Sequence, residues 1–113
     1  MIRVSVLYPF KEGGKFDHDY YRDKHIPLVK DKLGSALREA SIDKGIAGGA
    51  PDAPLPFSCI GYLIFNSIED FQQAFGPVAG DIMGDIPNYT DIEPILQISE
   101  IVQIGRASCR ERV

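Results

Sequence analysis

The residues best suited to chemistry lie together between Phe16 and Gly34, in the stretch FDHDYYRDKHIPLVKDKLG. His25 stands two positions before Pro27 and follows a pair of tyrosines, Tyr20 and Tyr21. An imidazole titrates near neutral pH and can both accept and return a proton, so His25 is the predicted general acid or base. Residues four apart share a helical face, so Tyr21 is predicted to orient or polarise a substrate carbonyl beside His25.

A second interpretation of His25 gives it no catalytic role. Pro27 lacks a backbone donor and crowds the carbonyl of Asp23, so we expect a kink, or two short helices that join near Ile26. The imidazole would then hydrogen-bond a carbonyl freed by the kink, and the tyrosine rings would only pack. Both interpretations remain open from the residues alone.

Other kinds of chemical site have no pattern in this sequence. His18 and His25 are seven positions apart on different helical faces, and no Cys-x-x-Cys spacing occurs, so we expect no metal. Because phosphate-binding glycine loops, dinucleotide fingerprints and nucleophile elbows are missing, we expect no cofactor and no nucleophilic triad. His18 is expected to be exposed and without further role.

Composition restricts the class of protein. A chain of 113 residues suits one domain, and 44% hydrophobic with 25% charged residues is typical of globular proteins. The net charge of −4 argues against a nucleic-acid partner, which needs clustered Lys and Arg. No apolar run approaches the roughly 20 residues that span a bilayer, so we expect a cytoplasmic protein without a membrane partner.

The last ten residues, IGRASCRERV, match the translation of a common sequencing-library adapter in one reading frame. We therefore expect the natural domain to cover residues 1–103 and the tail 104–113 to be non-native. Without the tail the chain keeps one cysteine, Cys59, which lies in an apolar run and is expected to be a buried small hydrophobe.

The first half of the chain alternates between regular elements and breaks. IRVSVLY predicts a strand with Ile2, Val4, Val6 and Tyr8 on one face. A helix is expected from the N-cap at Asp17 to Gly34, and an edge strand within SALREASIDKGI. The segment 47–56 is rich in proline and glycine, so it is either a mobile lid or a solvated connection.

The second half repeats this order. FSCIGYLIFN is apolar at nearly every position, which predicts a central strand buried on both faces. SIEDFQQAFGPVAGDIM predicts a helix capped by Ser67 and bent or divided at Gly76 and Pro77. ILQISEIVQ predicts the last strand.

Together these elements predict an α+β, ferredoxin-like βαββαβ fold with a four-stranded antiparallel sheet and both helices on one face. The central strand carries apolar side chains on both sides, so the uncovered face would be a large apolar patch, which soluble monomers rarely tolerate. We therefore expect a homodimer in which two sheets meet face to face.

The stretch VLYPFKEGGKFDHDYYRDKHIPLV, residues 6–29, resembles the opening of EthD-domain proteins of the dimeric α-β barrel superfamily. The shared features are Tyr-Pro at the end of the first strand, a glycine-containing loop, Phe-Asp, paired aromatics and His-x-Pro-Leu-Val. IGYLIFNS and YTDIEPILQISEIV are also similar to that family. The resemblance implies a protomer that pairs into a barrel and a role related to small-molecule degradation, with oxidoreductase chemistry as the general expectation.

Two functions are therefore expected as alternatives. The first is a cofactor-independent oxidoreductase or proton-transfer enzyme that acts on a small hydrophobic aromatic or carbonyl compound. In that enzyme His25 and Tyr21 are catalytic, and the predicted substrate-binding residues are Tyr8, Tyr20, Tyr62 and Phe65. The second is a non-catalytic ligand-binding or accessory protein for a degradative oxygenase pathway.

Overall fold

The computed structural model describes residues 1–103; the tail 104–113, with its predicted adapter origin, lies outside the described residues. The regular elements follow the predicted order. They are β1 (Ile2–Pro9), α1 (His18–Tyr20), a π-helical segment (Tyr21–His25), α2 (Ile26–Leu33), a 3-10 turn (Gly34–Ala36), β2 (Glu39–Lys44), β3 (Phe57–Phe65), α3 (Ile68–Phe75), a 3-10 turn (Gly76–Val78), α4 (Ala79–Gly84), a 3-10 turn (Ile86–Asn88) and β4 (Ile95–Glu100).

The four strands form one sheet in the order β2-β3-β1-β4. Every neighbouring pair is antiparallel. With the helices inserted after β1 and after β3, this is the ferredoxin-like βαββαβ topology, and the predicted fold class is confirmed. The predicted edge strand is β2, and the strand predicted to be central is β3.

The first helical region runs from His18 to Leu33 and changes type near Ile26, where the sequence predicts a kink or a junction of two short helices: the π-helical segment ends at His25 and α2 begins at Ile26. Asp17 caps it by accepting a hydrogen bond from the backbone N–H of Tyr20 at 3.0 Å. At Pro27, which has no N–H to donate, the chain adopts a wider π turn in which the N–H of Ile26 binds the carbonyl of Tyr21. Ile26 keeps helical dihedral angles, although the residue before a proline usually leaves the α region.

The second helical region is divided where the sequence predicts. Ser67 caps α3 by accepting from the N–H of Asp70 at 3.1 Å. The turn Gly76–Val78 separates α3 from α4. No helix in residues 1–103 is long and apolar enough to cross a membrane.

The main hydrophobic core lies between the sheet and the helices. Strand side chains alternate between the two faces of a sheet, and here Val4, Leu63 and Phe65 point towards the helices. They pack with Val29 of α2 and Phe71 of α3. Phe65 has no exposed surface and contacts Phe71 edge to face, at 5.2 Å between ring centroids.

The opposite face of the sheet is less apolar than expected. Ile60, Tyr62 and Ile64 form an apolar row along β3, and all three are partly buried. The β2 residues beside this row are polar, and β1 places Arg3 beside Ile64, but at the other end Leu7 of β1 lies beside Ile60 and pairs with Ile95 of β4. The apolar surface of this face is therefore narrow at Ile64 and widens at Ile60, and it is smaller than the broad patch predicted.

The core position of Phe65 makes a direct stability prediction. Phe65→Ala should lower the free energy of unfolding by about 3–5 kcal/mol, because it removes a ring from a fully packed site and leaves a cavity. Phe10, which is 50% exposed, offers a matched control, and Phe10→Ala should change it by less than about 1 kcal/mol. Urea unfolding followed by circular dichroism measures both, and equal effects would contradict this assignment.

Candidate functional site

The first helical region places His25 and Tyr21 against the sheet. His25 is 4% exposed and Tyr21 is 2% exposed. Their rings stack at 5.4 Å between centroids with an angle of 15° between planes. Both residues belong to the π-helical segment, and such segments are frequent at functional sites.

Asp85 is the hydrogen-bond partner of His25. Nδ1 of His25 lies 2.9 Å from Oδ2 of Asp85, and both side chains are largely buried. The carboxylate can only accept, so Nδ1 carries the proton and Nε2 is left with its lone pair. His25 also lines a cavity, and Nε2 has no hydrogen-bond partner among residues 1–103. This is the arrangement of a base held in one tautomer by a carboxylate.

Two further donors complete the shell around Asp85. The hydroxyl of Tyr20 donates to Oδ1 at 2.8 Å, and the side-chain amide of Asn88 donates to the same oxygen at 2.9 Å. Burial by itself would raise the pKa of Asp85, but the hydrogen bonds from Asn88, His25 and Tyr20 outweigh it and lower that pKa. The bond to Asp85 raises the pKa of Tyr20. Asp85 therefore stays ionised at neutral pH.

His25 is neutral at the same pH. Burial disfavours the imidazolium and lowers the pKa of His25 below its ordinary value, although the bond to Asp85 opposes this effect. A neutral imidazole beside an ionised carboxylate can accept a proton at Nε2 and is then stabilised by the negative charge behind it.

A cluster of buried phenols surrounds the imidazole. The hydroxyls of Tyr8 and Tyr89 lie 2.6 Å apart, and the ring of Tyr89 lies 4.7 Å from that of His25. Burial raises the pKa of Tyr8 to about 12 and raises those of Tyr21 and Tyr89 further. These phenols are thus protonated donors at neutral pH.

Gly61 in β3 makes room for Tyr21. A Cβ atom at this position would collide with the Tyr21 hydroxyl, so that hydroxyl lies directly above the strand backbone. A glycine in a central strand often marks a close approach of this kind.

An apolar cavity lies between the helices and the sheet beside these groups. Tyr8, Tyr21, His25 and Gly61 line it together with aliphatic and aromatic side chains from the sheet, α2, α3 and α4. Its volume is about 40 Å³, room for no more than a few water molecules.

The structure brings together only part of the predicted site. Tyr8, Tyr21 and His25 line the cavity. Tyr20 lies one layer behind, where it binds Asp85. Tyr62 is on the opposite face of the sheet, beneath the guanidinium of Arg3 at 5.6 Å, and Phe65 belongs to the main core, so assigning these two to the pocket is wrong.

Three further expectations are corrected. His25 binds a carboxylate, where its non-catalytic interpretation expected a freed carbonyl. His18 is half-buried, with Nε2 at 3.2 Å from the carbonyl of Ser58. The loop 47–56 does not line the cavity, so the lid interpretation has no support from this site.

Sequence reasoning missed Asp85, Asn88 and Tyr89. They lie in the turn-rich segment after α4, where no periodicity indicates the direction of a side chain. The glycine inside the apolar strand β3 was the available signal of a close approach, although it does not identify the partner.

Within residues 1–103 no group of three or more potential ligands could hold a metal ion.

A family model described as the EthD domain matches residues 15–93. The chain belongs to the EthD family. The match includes the tyrosine pair, His25, Asp85 and Tyr89, and it confirms the resemblance seen in the sequence.

Solved structures agree with this membership. An EthD-like protein from Ralstonia eutropha JMP134 is 49% identical, with a TM-score of 0.86, over 90% of this chain and 92% of its own. An ethyl tert-butyl ether D (EthD) family protein from Bacillus halodurans is 22% identical, with a TM-score of 0.61, over 88% of this chain and 97% of its own. An Arabidopsis thaliana protein at 11% identity and a TM-score of 0.66, covering 92% of this chain and 98% of its own, shares the fold. No curated protein matches the chain.

The buried His25 predicts how stability depends on pH. Its folded pKa lies below the ordinary value of about 6.5, so the unfolded chain binds more protons once the pH falls below that value. Stability should be fully present above about pH 7 and should fall as the pH drops below about 6.5 towards the lowered pKa of folded His25. Asp85, whose pKa is also lowered, adds a separate loss only near pH 4 and below.

Urea unfolding at several pH values tests this dependence. His25→Gln should flatten the curve as the pH falls below 7, while Gln72→Ala, at an exposed position without a titratable group, should leave its slope nearly unchanged. If both variants keep the wild-type slope, His25 is not the titrating group.

Proposed function

We propose that this EthD-family protein is a small-molecule enzyme in which His25 acts as acid and base. The reaction is a proton transfer, or an oxidation by molecular oxygen that begins with one, on a small hydrophobic aromatic or carbonyl compound, and it needs no cofactor. The observation that carries the proposal is the bond between Nδ1 of His25 and Asp85, which leaves Nε2 unbonded on a side chain that lines an apolar cavity.

The neighbouring groups support an acid–base role for His25. A base works best when its charged form is stabilised only after it accepts the proton, and Asp85 is positioned to stabilise the imidazolium. Tyr21 stacks on the imidazole and keeps its phenol protonated, so it can donate to the substrate oxygen on which negative charge develops. The apolar wall strengthens both interactions because it excludes water.

A non-catalytic function is the alternative, and the cavity itself favours it. An apolar pocket with a few converging polar groups holds a ligand equally well without reacting with it. In that case the protein binds a hydrophobic compound for a partner oxygenase. Loss of turnover without loss of binding separates the two functions.

Substitution of His25 tests the enzyme proposal. Small quinols, β-ketoacids and lactones are incubated with purified protein, and products are detected by mass spectrometry. On a compound that is turned over, His25→Ala should lower kcat by about 10²- to 10⁴-fold with little change in fold, because the base is lost. Asp85→Asn should lower kcat less than that, because the base remains but is no longer held in its tautomer.

His18→Ala is the matched control and should retain wild-type turnover. Turnover by His25→Ala at the wild-type rate would refute the catalytic role. Ligand binding by wild type without any product would favour the alternative function.

We also propose that two copies pair through the open face of the sheet to form the α-β barrel typical of the superfamily. The apolar row Ile60, Tyr62 and Ile64 supports this pairing, and so does Ile95 at the end of β4, which is 55% exposed. The polar β2 residues beside this row resemble the rim of a protein interface.

A charge placed in the apolar row tests the pairing. Light scattering should give twice the chain mass for wild type, and Ile64→Lys should shift it towards the chain mass, because an unpaired charge would be buried at the interface. Gln72→Lys, on the exposed surface of α3, is the control and should remain a dimer. A monomeric wild type at micromolar concentration would refute the pairing.

A further inference from the structure

The lining of the cavity is apolar apart from a few uncharged polar side chains. Of its lining residues in the part of the chain that the structure describes, none is Lys, Arg, Asp or Glu. The polar side chains that line it are those of Tyr8, Tyr21 and His25, and the hydroxyl of Tyr8 is bonded to Tyr89 and also faces that of Tyr21. A ligand therefore has one acceptor available, Nε2 of His25, and one donor, the hydroxyl of Tyr21 once it turns from Tyr8.

The charge closest to the cavity works against ionic ligands. Asp85 lies directly behind His25, so an anion in the cavity would face its negative charge without a lining cation to balance it. A cation gains little from Asp85, because Tyr20, Asn88 and His25 already occupy both carboxylate oxygens. Transfer of an unpaired charge into such a site is strongly unfavourable for either sign.

The basicity of His25 further restricts the chemical class of the ligand. Because burial lowers the pKa of His25, the imidazole is a weaker base than free histidine. It can accept a proton only from a group that is itself fairly acidic, such as a phenol, with a pKa of about 10, or a carbon between two carbonyls. A hydrogen bond donated to the ligand oxygen that becomes negative lowers the pKa of the ligand and brings it closer to that of His25. Tyr21 is placed to donate this hydrogen bond.

The route into the cavity is marked by two half-exposed side chains. Met83 of α4 is 40% exposed and Leu96 of β4 is 43% exposed, and both line the cavity. They therefore lie where the cavity meets the solvent. An aromatic ring needs more than about 40 Å³, so these side chains must move outward for it to enter, and a flexible methionine suits that role.

We propose that the ligand of this site is an uncharged compound with an apolar body and one phenolic or 1,3-dicarbonyl group, which enters between Met83 and Leu96. The acidic O–H or C–H faces Nε2 of His25, and the proton moves to that nitrogen. The electron pair of the broken bond stays on the ligand as a phenolate or enolate, whose oxygen accepts a hydrogen bond from Tyr21. This inference rests on the proposed function for its proton transfer, but its charge rule concerns binding alone.

Four aromatic compounds of similar size test the charge rule at pH 7. They are 4-methylphenol, 4-methylanisole, 4-methylbenzoate and 4-methylbenzylamine, and binding is followed through the imidazole resonances of His25 by NMR. We expect 4-methylphenol to bind at least tenfold more tightly than the charged benzoate and amine, and more tightly than the anisole, which lacks the acidic proton. Equal or tighter binding of either charged compound overturns the rule, and so does the absence of binding by 4-methylphenol up to its solubility limit.

A charge added at the entrance tests the route. Met83→Lys should increase the affinity for 4-methylbenzoate about tenfold, because the ammonium would reach the carboxylate at the rim. Met83→Gln has similar length without the charge and should leave that affinity unchanged. No difference between the two variants would overturn the assignment of the entrance.

The outcomes also separate this inference from the enzyme proposal. If 4-methylphenol binds as expected and no phenol, quinol or dicarbonyl compound is turned over, the ligand class stands and catalysis fails. If the protein turns over an anionic compound with the loss of rate expected for His25→Ala, catalysis stands and the ligand class is wrong.

Discussion

The arrangement of the site depends on one hydrogen bond, between His25 and Asp85, whose residues are 60 positions apart in the chain. It ties the first helical region to the turn after α4. Two neighbouring hydrogen bonds join the adjoining chain segments, one from the backbone N–H of Asp17 to the carbonyl of Tyr89 and one from the side-chain hydroxyl of Thr90 to the carbonyl of Lys15. A buried carboxylate is tolerated only when its oxygens are occupied, and Tyr20 and Asn88 occupy the one that His25 does not use. Structure and electrostatics therefore depend on the same few contacts.

The fold was predictable because its determinants are local. Alternation located the first and last strands, and a continuous apolar run located β3. Asp17 and Ser67 are the caps seen in the structure, and the second helical region is divided at Gly76 and Pro77 as expected. At Pro27 the local rule correctly identifies a missing N–H and a change in the helix near Ile26. It does not specify the form of that change, which here is a π turn whose residues Tyr21 and His25 are buried.

Only half of the site was predictable, for the same reason. Tyr21 and His25 share a helical face, which spacing reveals, whereas Asp85 and Tyr89 reach the site through the tertiary fold. Tyr62 shows the limit of composition as a guide. It adjoins Gly61, which lines the cavity, but consecutive strand residues point to opposite faces, so Tyr62 cannot point into that cavity. An aromatic residue that is adjacent in sequence to a site residue can therefore be assigned to the site only when the face of the sheet that carries its side chain is known.

The position of the cavity follows from how the helices cover the sheet. The second helical region is broken into two short pieces at Gly76–Val78, and the helix-facing side chains of β4 remain partly uncovered, with Leu96 43% and Ile98 42% exposed. A continuous helix would have covered more of this apolar surface and gained stability from its burial. After the break α4 ends at Gly84, so Asp85 follows directly and reaches His25, and Leu96 lies exposed at the cavity. The divided helical layer therefore accompanies both features of the site, the carboxylate behind the imidazole and the exposed apolar side chain at the cavity.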